Sequence, residues 1–163
     1  IIAGETDIPG SKFLNDITID QEGTIYVSDM NGNAIYKISK GKQDLLVKSD
    51  KLNGPNGLFF ENGKLLAGLQ DRVVSIDLKT REFKDYIPET GGIDGLVPDG
   101  KGNYLISDWR GNIHLISTQQ KKIKLLDTTP DNINAADIDY VIPKKLLLVP
   151  TFSDNRVVAY EVK

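Results

Sequence analysis

Residues 13–29 read FLNDITIDQEGTIYVSD and combine a polar pair, a strand, a glycine turn and a second strand. Asn15-Asp16 opens the first strand, Gly23 supplies the turn, and the second strand ends at Asp29. Apolar and polar residues alternate along both strands, and a period of two predicts β-structure. We therefore expect the apolar set to pack within a sheet: Ile17, Ile19, Ile25 and Val27.

The same order recurs three more times along the chain. Asp16, Gly57, Gly95 and Asp137 hold equivalent positions, at spacings of 41, 38 and 42 residues. A period of about 40 residues with several short strands per unit is typical of propeller blades. No window carries the 3.6-residue period of a capped helix. The sequence therefore predicts an all-β fold built of β-propeller blades, each with four antiparallel strands, with about four blades present.

The repeats define one domain, a single β-propeller or a partial propeller over residues 1–163. The units cover about residues 13–50, 54–90, 92–130 and 134–163. The last unit has only three predicted strands, at 136–141, 145–151 and 155–162. Ile1-Ile2-Ala3 either pairs with that unit to close a ring or belongs to a preceding blade, and we favour the second reading. Open blade edges can pair with other strands, so self-association stays open.

The composition excludes several classes of function. The net charge is −3 and no basic run exceeds two lysines, whereas a nucleic-acid partner needs a clustered positive face. The longest apolar run, residues 146–149, is too short to cross a membrane. There is no cysteine, so disulfides, thiolate zinc sites and cysteine nucleophiles are excluded. This composition suits a soluble protein, either cytoplasmic or exported.

Polar residues open each predicted inner strand. Inner strands line the central channel of a propeller, so we expect their first residues to converge at one mouth. Carboxylate and amide oxygens that converge are the ligands a hard cation such as Ca²⁺ prefers. Any one Asn-Gly or Asp-Gly step is also an ordinary turn dipeptide, but their recurrence at one offset favours a site. The converging set is Asn15, Asp16, Asn56 and Asp94, with Asn134 and Asp137 as weaker members.

The exit loops of the second strands are expected on the same face, because antiparallel second strands run back towards the mouth. Their side chains are candidates for the wall of a substrate pocket: Met30, Gln70, Trp109, Arg110 and Phe152. Arg110 could hold a carboxylate or a sugar acid. Packing between blades is an equally good interpretation of Trp109. In the same loops, Asp29 and Asp108 are interpreted as capping residues of turns.

The order of these motifs resembles three consecutive blades of the regucalcin/gluconolactonase family, of the senescence-marker-protein type. The matching stretches are Asn15-Asp16, then Pro55-Asn56-Gly57-Leu58, then Asp94-Gly95-Leu96. The resemblance is more distant to paraoxonases and strictosidine-synthase-like propellers. It implies a six-bladed propeller, of which this chain would be a C-terminal four-blade portion. It also implies an axial divalent cation, Ca²⁺ or another such as Mg²⁺, Mn²⁺ or Zn²⁺, and hydrolysis of lactones or related esters.

The resemblance also implies roles for single residues. Asn56 and Asp94 match direct metal ligands, Asn15 matches an asparagine that contacts the metal shell or substrate, and Asp94 matches the general base. Asp16 joins the substrate-binding set. The family's remaining ligand, a glutamate of the first blade, has no counterpart, because Glu5 lies in a linker-like stretch. The only histidine, His114, falls in the middle of a predicted strand away from the axis.

Two functions therefore compete at this stage. The first is a metal-dependent hydrolase whose substrate is a small lactone or sugar acid. The second is a non-catalytic propeller, related to NHL repeats, that binds a sugar, a peptide or a protein at the channel mouth. The set Asn15, Asn56 and Asp94 favours the hydrolase, because a pure binding propeller needs no converging oxygens.

Overall fold

The computed structural model describes residues 4–119 and 121–162. Four antiparallel sheets follow one another along these residues and form the blades of a four-blade propeller. Three sheets have four strands and the last has three, each in sequential order. The predicted all-β propeller is confirmed. The alternatives for Ile1-Ile2-Ala3 lie outside the described residues.

The blades are numbered in chain order. Blade 1 consists of β1 (Leu14–Ile19), β2 (Ile25–Asp29), β3 (Ala34–Ser39) and β4 (Lys42–Lys48). Blade 2 consists of β5 (Leu58–Glu61), β6 (Lys64–Gly68), β7 (Val73–Ile76) and β8 (Phe83–Ile87). Blade 3 consists of β9 (Leu96–Pro98), β10 (Asn103–Ser107), β11 (Asn112–Ser117) and β12 (Lys122–Asp127). Blade 4 consists of β13 (Asp139–Val141), β14 (Leu146–Pro150) and β15 (Val157–Glu161).

Aspartate side chains build the turns between the first and second strands in blades 1 and 3. In blade 1 the Asp20 carboxylate accepts the backbone N–H groups of Glu22 and Thr24, at 2.9 and 2.8 Å. Asp99 does the same in blade 3. Gly23 has a φ of 82°, a conformation that glycine adopts without steric cost. Blade 4 replaces this turn with a short 3₁₀ helix, Ile142–Lys144.

The core lies between neighbouring blades rather than within one sheet. Each interface buries apolar side chains from both sheets, and full burial of one such side chain contributes about 1.5–3 kcal/mol. Blades 1 and 2 meet at Ile35, Leu65 and Ile76, blades 2 and 3 at Leu66, Val73 and Ile106, and blades 3 and 4 at Leu105, Ile113 and Leu147. The stacking holds the four inner strands side by side, so their openings lie close together.

One expectation about blade 1 is wrong, and it concerns the face of the sheet that is turned away from blade 2. Val27 is buried with Tyr36 and Ile8, as an apolar strand residue should be. Ile17 and Ile19 are 64% and 60% exposed, because no described residue covers that part of β1. The alternation of apolar and polar residues correctly predicted the strand, but the predicted packing of Ile17 and Ile19 within the sheet is wrong. No helix in the described residues is long and apolar enough to cross a membrane.

Candidate functional site

The openings of the inner strands and the exit loops of the second strands lie on one face. Backbone hydrogen bonds hold each exit against its own inner strand, and adjacent inner strands contact one another. The bonds run from Met30 N–H to Phe13 O at 2.9 Å, from Asp94 N–H to Ser107 O at 2.8 Å, and from Ala136 N–H to Pro150 O at 3.0 Å. This face is called the mouth below.

Three predicted ligands meet at the mouth. The Asn56 side-chain amide donates a hydrogen bond to the Asp94 carboxylate at 2.6 Å, and Asn56 is buried. The Met30 sulfur links Asn15 to this pair, at 3.7 Å from the Asn15 amide nitrogen and 4.0 Å from that of Asn56. Asn15, Asn56 and Asp94 are called the oxygen cluster below. The structure therefore brings together residues from blades 1, 2 and 3.

Asp16 connects two inner strands. One carboxylate oxygen accepts the N–H of Ile17 at 2.7 Å, and the other accepts the N–H of Leu58 in blade 2 at 2.6 Å. Burial raises the pKa of Asp16, the two backbone hydrogen bonds oppose this rise, and the negative charge of Asp94 adds to it. Both oxygens thus serve the backbone, and a contact with substrate stays a prediction.

Close packing between inner strands, rather than turn formation, explains the glycines that follow Asn56 and Asp94. A Cβ on Gly57 would lie 2.6 Å from the Asp94 carbonyl oxygen, and a Cβ on Gly95 would lie 2.6 Å from the Ile138 nitrogen. Neither glycine has a positive φ. The turn interpretation of these dipeptides is therefore wrong, since the close approach of the next inner strand excludes any side chain.

Two further carboxyl groups at the mouth have raised pKa values. Burial raises the pKa of Asp94, the Asn56 hydrogen bond opposes the rise, and Asp108 adds to it. Burial together with the charges of Asp16 and Asp94 raises the pKa of Asp137 to about 7. Asp137 keeps an exposed surface, so water and salt moderate this shift. Sequence reasoning gave Asp137 too little weight, although its repeat position matches that of Asp16.

The mouth of blades 3 and 4 carries an exposed aromatic pair. Trp109 is 47% exposed and Phe152 is 65% exposed, and their rings meet edge to face with centroids 4.7 Å apart. Trp109 of blade 3 thus packs against an aromatic residue of blade 4, as the packing interpretation expects, and still leaves 47% of its surface exposed. Arg110 is exposed beside Trp109. Gln70 is also exposed, and its side-chain amide would lie 3.0 Å from a Cβ at Gly54 and 3.4 Å from a Cβ at Gly92.

The two loop aspartates have the structural role that the sequence predicts. Asp29 accepts the N–H groups of Lys12, Phe13 and Gly32. Asp108 accepts two backbone N–H groups of the next residues and the side-chain amide of Asn112 at 2.9 Å. Both carboxylates are thereby occupied within their turns. They fix the loops that carry Met30 and Trp109.

Each side chain of the oxygen cluster carries an amide or carboxylate oxygen, the ligand that a hard divalent cation prefers, while the contacts within the cluster are made by the amide nitrogens of Asn15 and Asn56. The oxygen ligands are few, since Ca²⁺ takes six to eight oxygens. Within residues 4–119 and 121–162, no group of three or more His, Cys, Asp or Glu side chains is arranged to hold a metal ion. The cluster would therefore hold a cation through Asn15, Asn56 and Asp94, with water or substrate filling the other positions.

No family model matches the sequence, and no curated protein matches it. Solved structures share the fold. Virginiamycin B lyase from Staphylococcus aureus superposes with a TM-score of 0.66 at 16% identity, over 95% of this chain and 57% of that one. A gluconolactonase from Xanthomonas campestris gives 0.68 at 14%, over 93% and 58%. A chain of a nidogen/laminin complex gives 0.73 at 16%, over 91% and 60%.

These likenesses cover most of this chain but only 57–60% of each of the three solved chains. At identities this low they establish the propeller fold, and gluconolactonase-family propellers are among the structures that share it. Function has to be argued from the mouth itself, since unrelated activities occur on one fold.

Proposed function

We propose that the mouth is a small-molecule site for metal-assisted hydrolysis of a lactone or a related ester. The observation that carries this proposal is the 2.6 Å contact between Asn56 and Asp94, with Asn15 linked to them through Met30. Raised pKa values at Asp16, Asp94 and Asp137 support it, because such shifts concentrate at functional sites. The shared fold with a gluconolactonase is consistent with it.

Only a few groups take part in the proposed hydrolysis. Asn15, Asn56 and Asp94 would hold a divalent cation of the Ca²⁺ type, which would polarise the substrate carbonyl and stabilise the oxyanion. Asn56 holds one oxygen of Asp94, which leaves the other oxygen to accept a proton from the attacking water. Water oxygen bonds to the carbonyl carbon, the ring ester C–O bond breaks, and the proton passes to the leaving alkoxide. Arg110, exposed beside Trp109, would bind the carboxylate of the sugar-acid product.

The remaining residues of the mouth would contact substrate around this centre. Met30 packs against the oxygen cluster, whereas Gln70 offers an exposed amide between two glycine segments. Asp16 borders the cluster, although its oxygens already accept backbone hydrogen bonds. Trp109 and Phe152 supply the apolar part of the wall.

The decisive variant is Asp94→Asn, tested with glucono-1,5-lactone in the presence of Ca²⁺. The side chain keeps its size and loses its basicity, so we expect turnover to fall by about 10²–10⁴-fold while circular dichroism is unchanged. Glu22→Gln is the matched control, because Glu22 is exposed in the turn between β1 and β2, at the end of blade 1 opposite the mouth. Retained turnover in Asp94→Asn would remove Asp94 as the base.

Metal binding has its own measurement. We expect Asn56→Ala and Asp94→Ala each to weaken Ca²⁺ binding at least about tenfold in calorimetry, since each removes an oxygen donor. Unchanged affinity in both variants contradicts the metal assignment. Absence of turnover in a wild-type protein that still binds sugars at the mouth would favour the non-catalytic propeller.

A further inference from the structure

We propose that Trp109 and Phe152 form an aromatic platform that stacks against the flat face of a ring-shaped ligand. The ligand class is a polyhydroxylated oxygen heterocycle, such as a sugar ring or sugar lactone, in preference to its open-chain form. This inference rests on the proposed function for its location, since the platform borders the same mouth. Its test uses binding alone and needs no turnover.

The exposure of the pair is the first argument. Large aromatic side chains normally bury most of their area, and here two adjacent ones leave 47% and 65% of theirs in water. Their rings meet at 64°, so each keeps a face free of the other. The C–H face of a sugar ring can cover such a surface, whereas a flexible polyol presents no flat face.

The backbone at Phe152 is the second argument. Its φ is 46°, in the left-handed region that a bulky side chain rarely adopts. The other non-glycine residues with positive φ in the described chain are all polar or charged: Asn33, Lys40, Asn62, Arg81, Glu89, Asn132, Lys145 and Asn155. Strain of this kind persists where the surroundings impose it and concentrates at ligand-binding sites.

The loops under both rings are fixed independently of the rings. The Asn134 side-chain amide donates to the Trp109 carbonyl at 2.9 Å. The Thr151 hydroxyl accepts the N–H of Arg156 at 3.0 Å and donates to its carbonyl at 2.9 Å, and the Arg156 guanidinium binds Asp154. A platform on pre-organised loops loses little entropy when a ligand binds.

Polar groups for the hydroxyls of such a ligand lie around the platform. Asn134 is tied to Trp109, and Arg110 follows Trp109 in the same loop. An apolar surface with a few polar groups beside it is the usual make-up of a small-molecule site. The aromatic pair would then select the ring form, and the neighbouring polar groups would bind its substituents.

The chain offers a direct reporter, because Trp109 is its only tryptophan. We would titrate the protein with 1,5-anhydro-D-glucitol, a ring that cannot hydrolyse, and with the open-chain polyol sorbitol, and follow tryptophan emission. We expect a saturable change with the ring compound and affinity for sorbitol lower by about tenfold or more. Equal responses to both compounds, or no saturable response to the ring compound, overturn the proposal.

The variant Phe152→Asn separates binding from folding. Asparagine tolerates the left-handed conformation, so the melting temperature should stay equal or rise, while affinity for the ring compound falls about fivefold or more. Val157→Asn, at another exposed apolar position of blade 4, is the control and should keep wild-type affinity. Unchanged affinity in Phe152→Asn also overturns the platform. The titration needs no turnover, so a protein that binds the ring compound without hydrolysing lactones separates failure of the proposed function from failure of the platform.

Discussion

The second residue of each inner-strand opening is aspartate in blades 1 and 4 but glycine in blades 2 and 3. Gly57 and Gly95 lie where the next inner strand comes so close that a Cβ would sit 2.6 Å from a backbone atom. Asp16 has room for a whole carboxylate, which reaches the Leu58 N–H of the next blade at 2.6 Å. Equivalent positions of the repeat therefore differ in what they require. Blades 2 and 3 leave no room for a side chain there, whereas the carboxylate in blade 1 accepts a hydrogen bond from the next blade.

The two aspartates also differ from each other. Both carboxylate oxygens of Asp16 accept hydrogen bonds from backbone N–H groups, and one of these N–H groups belongs to the next blade. Asp137 binds only the N–H of Ile138, at 2.9 Å, among the hydrogen bonds of the described residues. Burial and the charges of Asp16 and Asp94 raise the pKa of Asp137, and a single backbone donor opposes this rise, whereas two backbone donors oppose it at Asp16. The repeat thus separates a carboxylate that holds blades together from one that remains available.

We expect the largest loss of stability when one of the two inner-strand glycines is replaced. Gly95→Ala forces a methyl group against the backbone of Ile138 and the carboxylate of Asp137, at 2.6 and 2.8 Å. The inner strands have to move apart, and we expect the free energy of unfolding to fall by about 1–3 kcal/mol in urea titrations.

Gly4→Ala is the matched control for that substitution. A Cβ at Gly4 would meet nothing within 4 Å, so its unfolding free energy should stay within about 0.5 kcal/mol of the wild type. Equal stability of the Gly95 and Gly4 variants would contradict the steric explanation. It would also reopen the interpretation of Asp94-Gly95 as a turn dipeptide.

A smaller effect is expected at Asp16. Asp16→Ala removes the acceptor of the Ile17 and Leu58 N–H groups. Because Ile17 is exposed and water can replace its partner, we expect the free energy of unfolding to fall by about 0.5–1.5 kcal/mol. Asp16→Asn keeps one acceptor oxygen and should lose less. Urea unfolding of both variants tests this order. If alanine and asparagine were equally destabilising, the carboxylate charge rather than the blade-bridging hydrogen bonds would be the stabilising feature.

The sequence predicts the part of this architecture that repeats. The recurring polar pair, glycine turn and second strand predicted the blades, and convergence of inner strands predicted the contact between Asn56 and Asp94. Burial could not be predicted, because the alternation at Ile17 is the same as at Val27 while only Val27 has a covering partner.

The distances between blades could not be predicted from the sequence either. Gly57 looked like a turn residue, since nothing in the letters indicates how near the next inner strand lies. Phe152 gave no sign of its left-handed backbone, because φ there is imposed by the loop around it. Asp137 was predicted only as a weaker member of the converging set, although it occupies the same repeat position as Asp16.

The smallest effect concerns Asp137, and its sign depends on pH. The folded protein holds the Asp137 proton up to a pKa of about 7, whereas the ordinary value is 3.8. Between these values the folded state binds more protons than the unfolded state, so this residue makes stability fall as the pH rises through that window. Asp137→Asn keeps an acceptor for Ile138 and removes the ionisation.

Melting curves of wild type and Asp137→Asn at pH 4 and pH 8 test this sign. Near pH 4 both side chains are neutral in the fold, so the two melting temperatures should nearly coincide. At pH 8 the variant should melt higher by about 1–3 °C, a modest shift because Asp137 is partly exposed to solvent. A variant that melts lower than wild type at pH 8 would mean that the Asp137 charge has a stabilising partner. Asp137 would then resemble Asp16, and the distinction between the two aspartates would be lost.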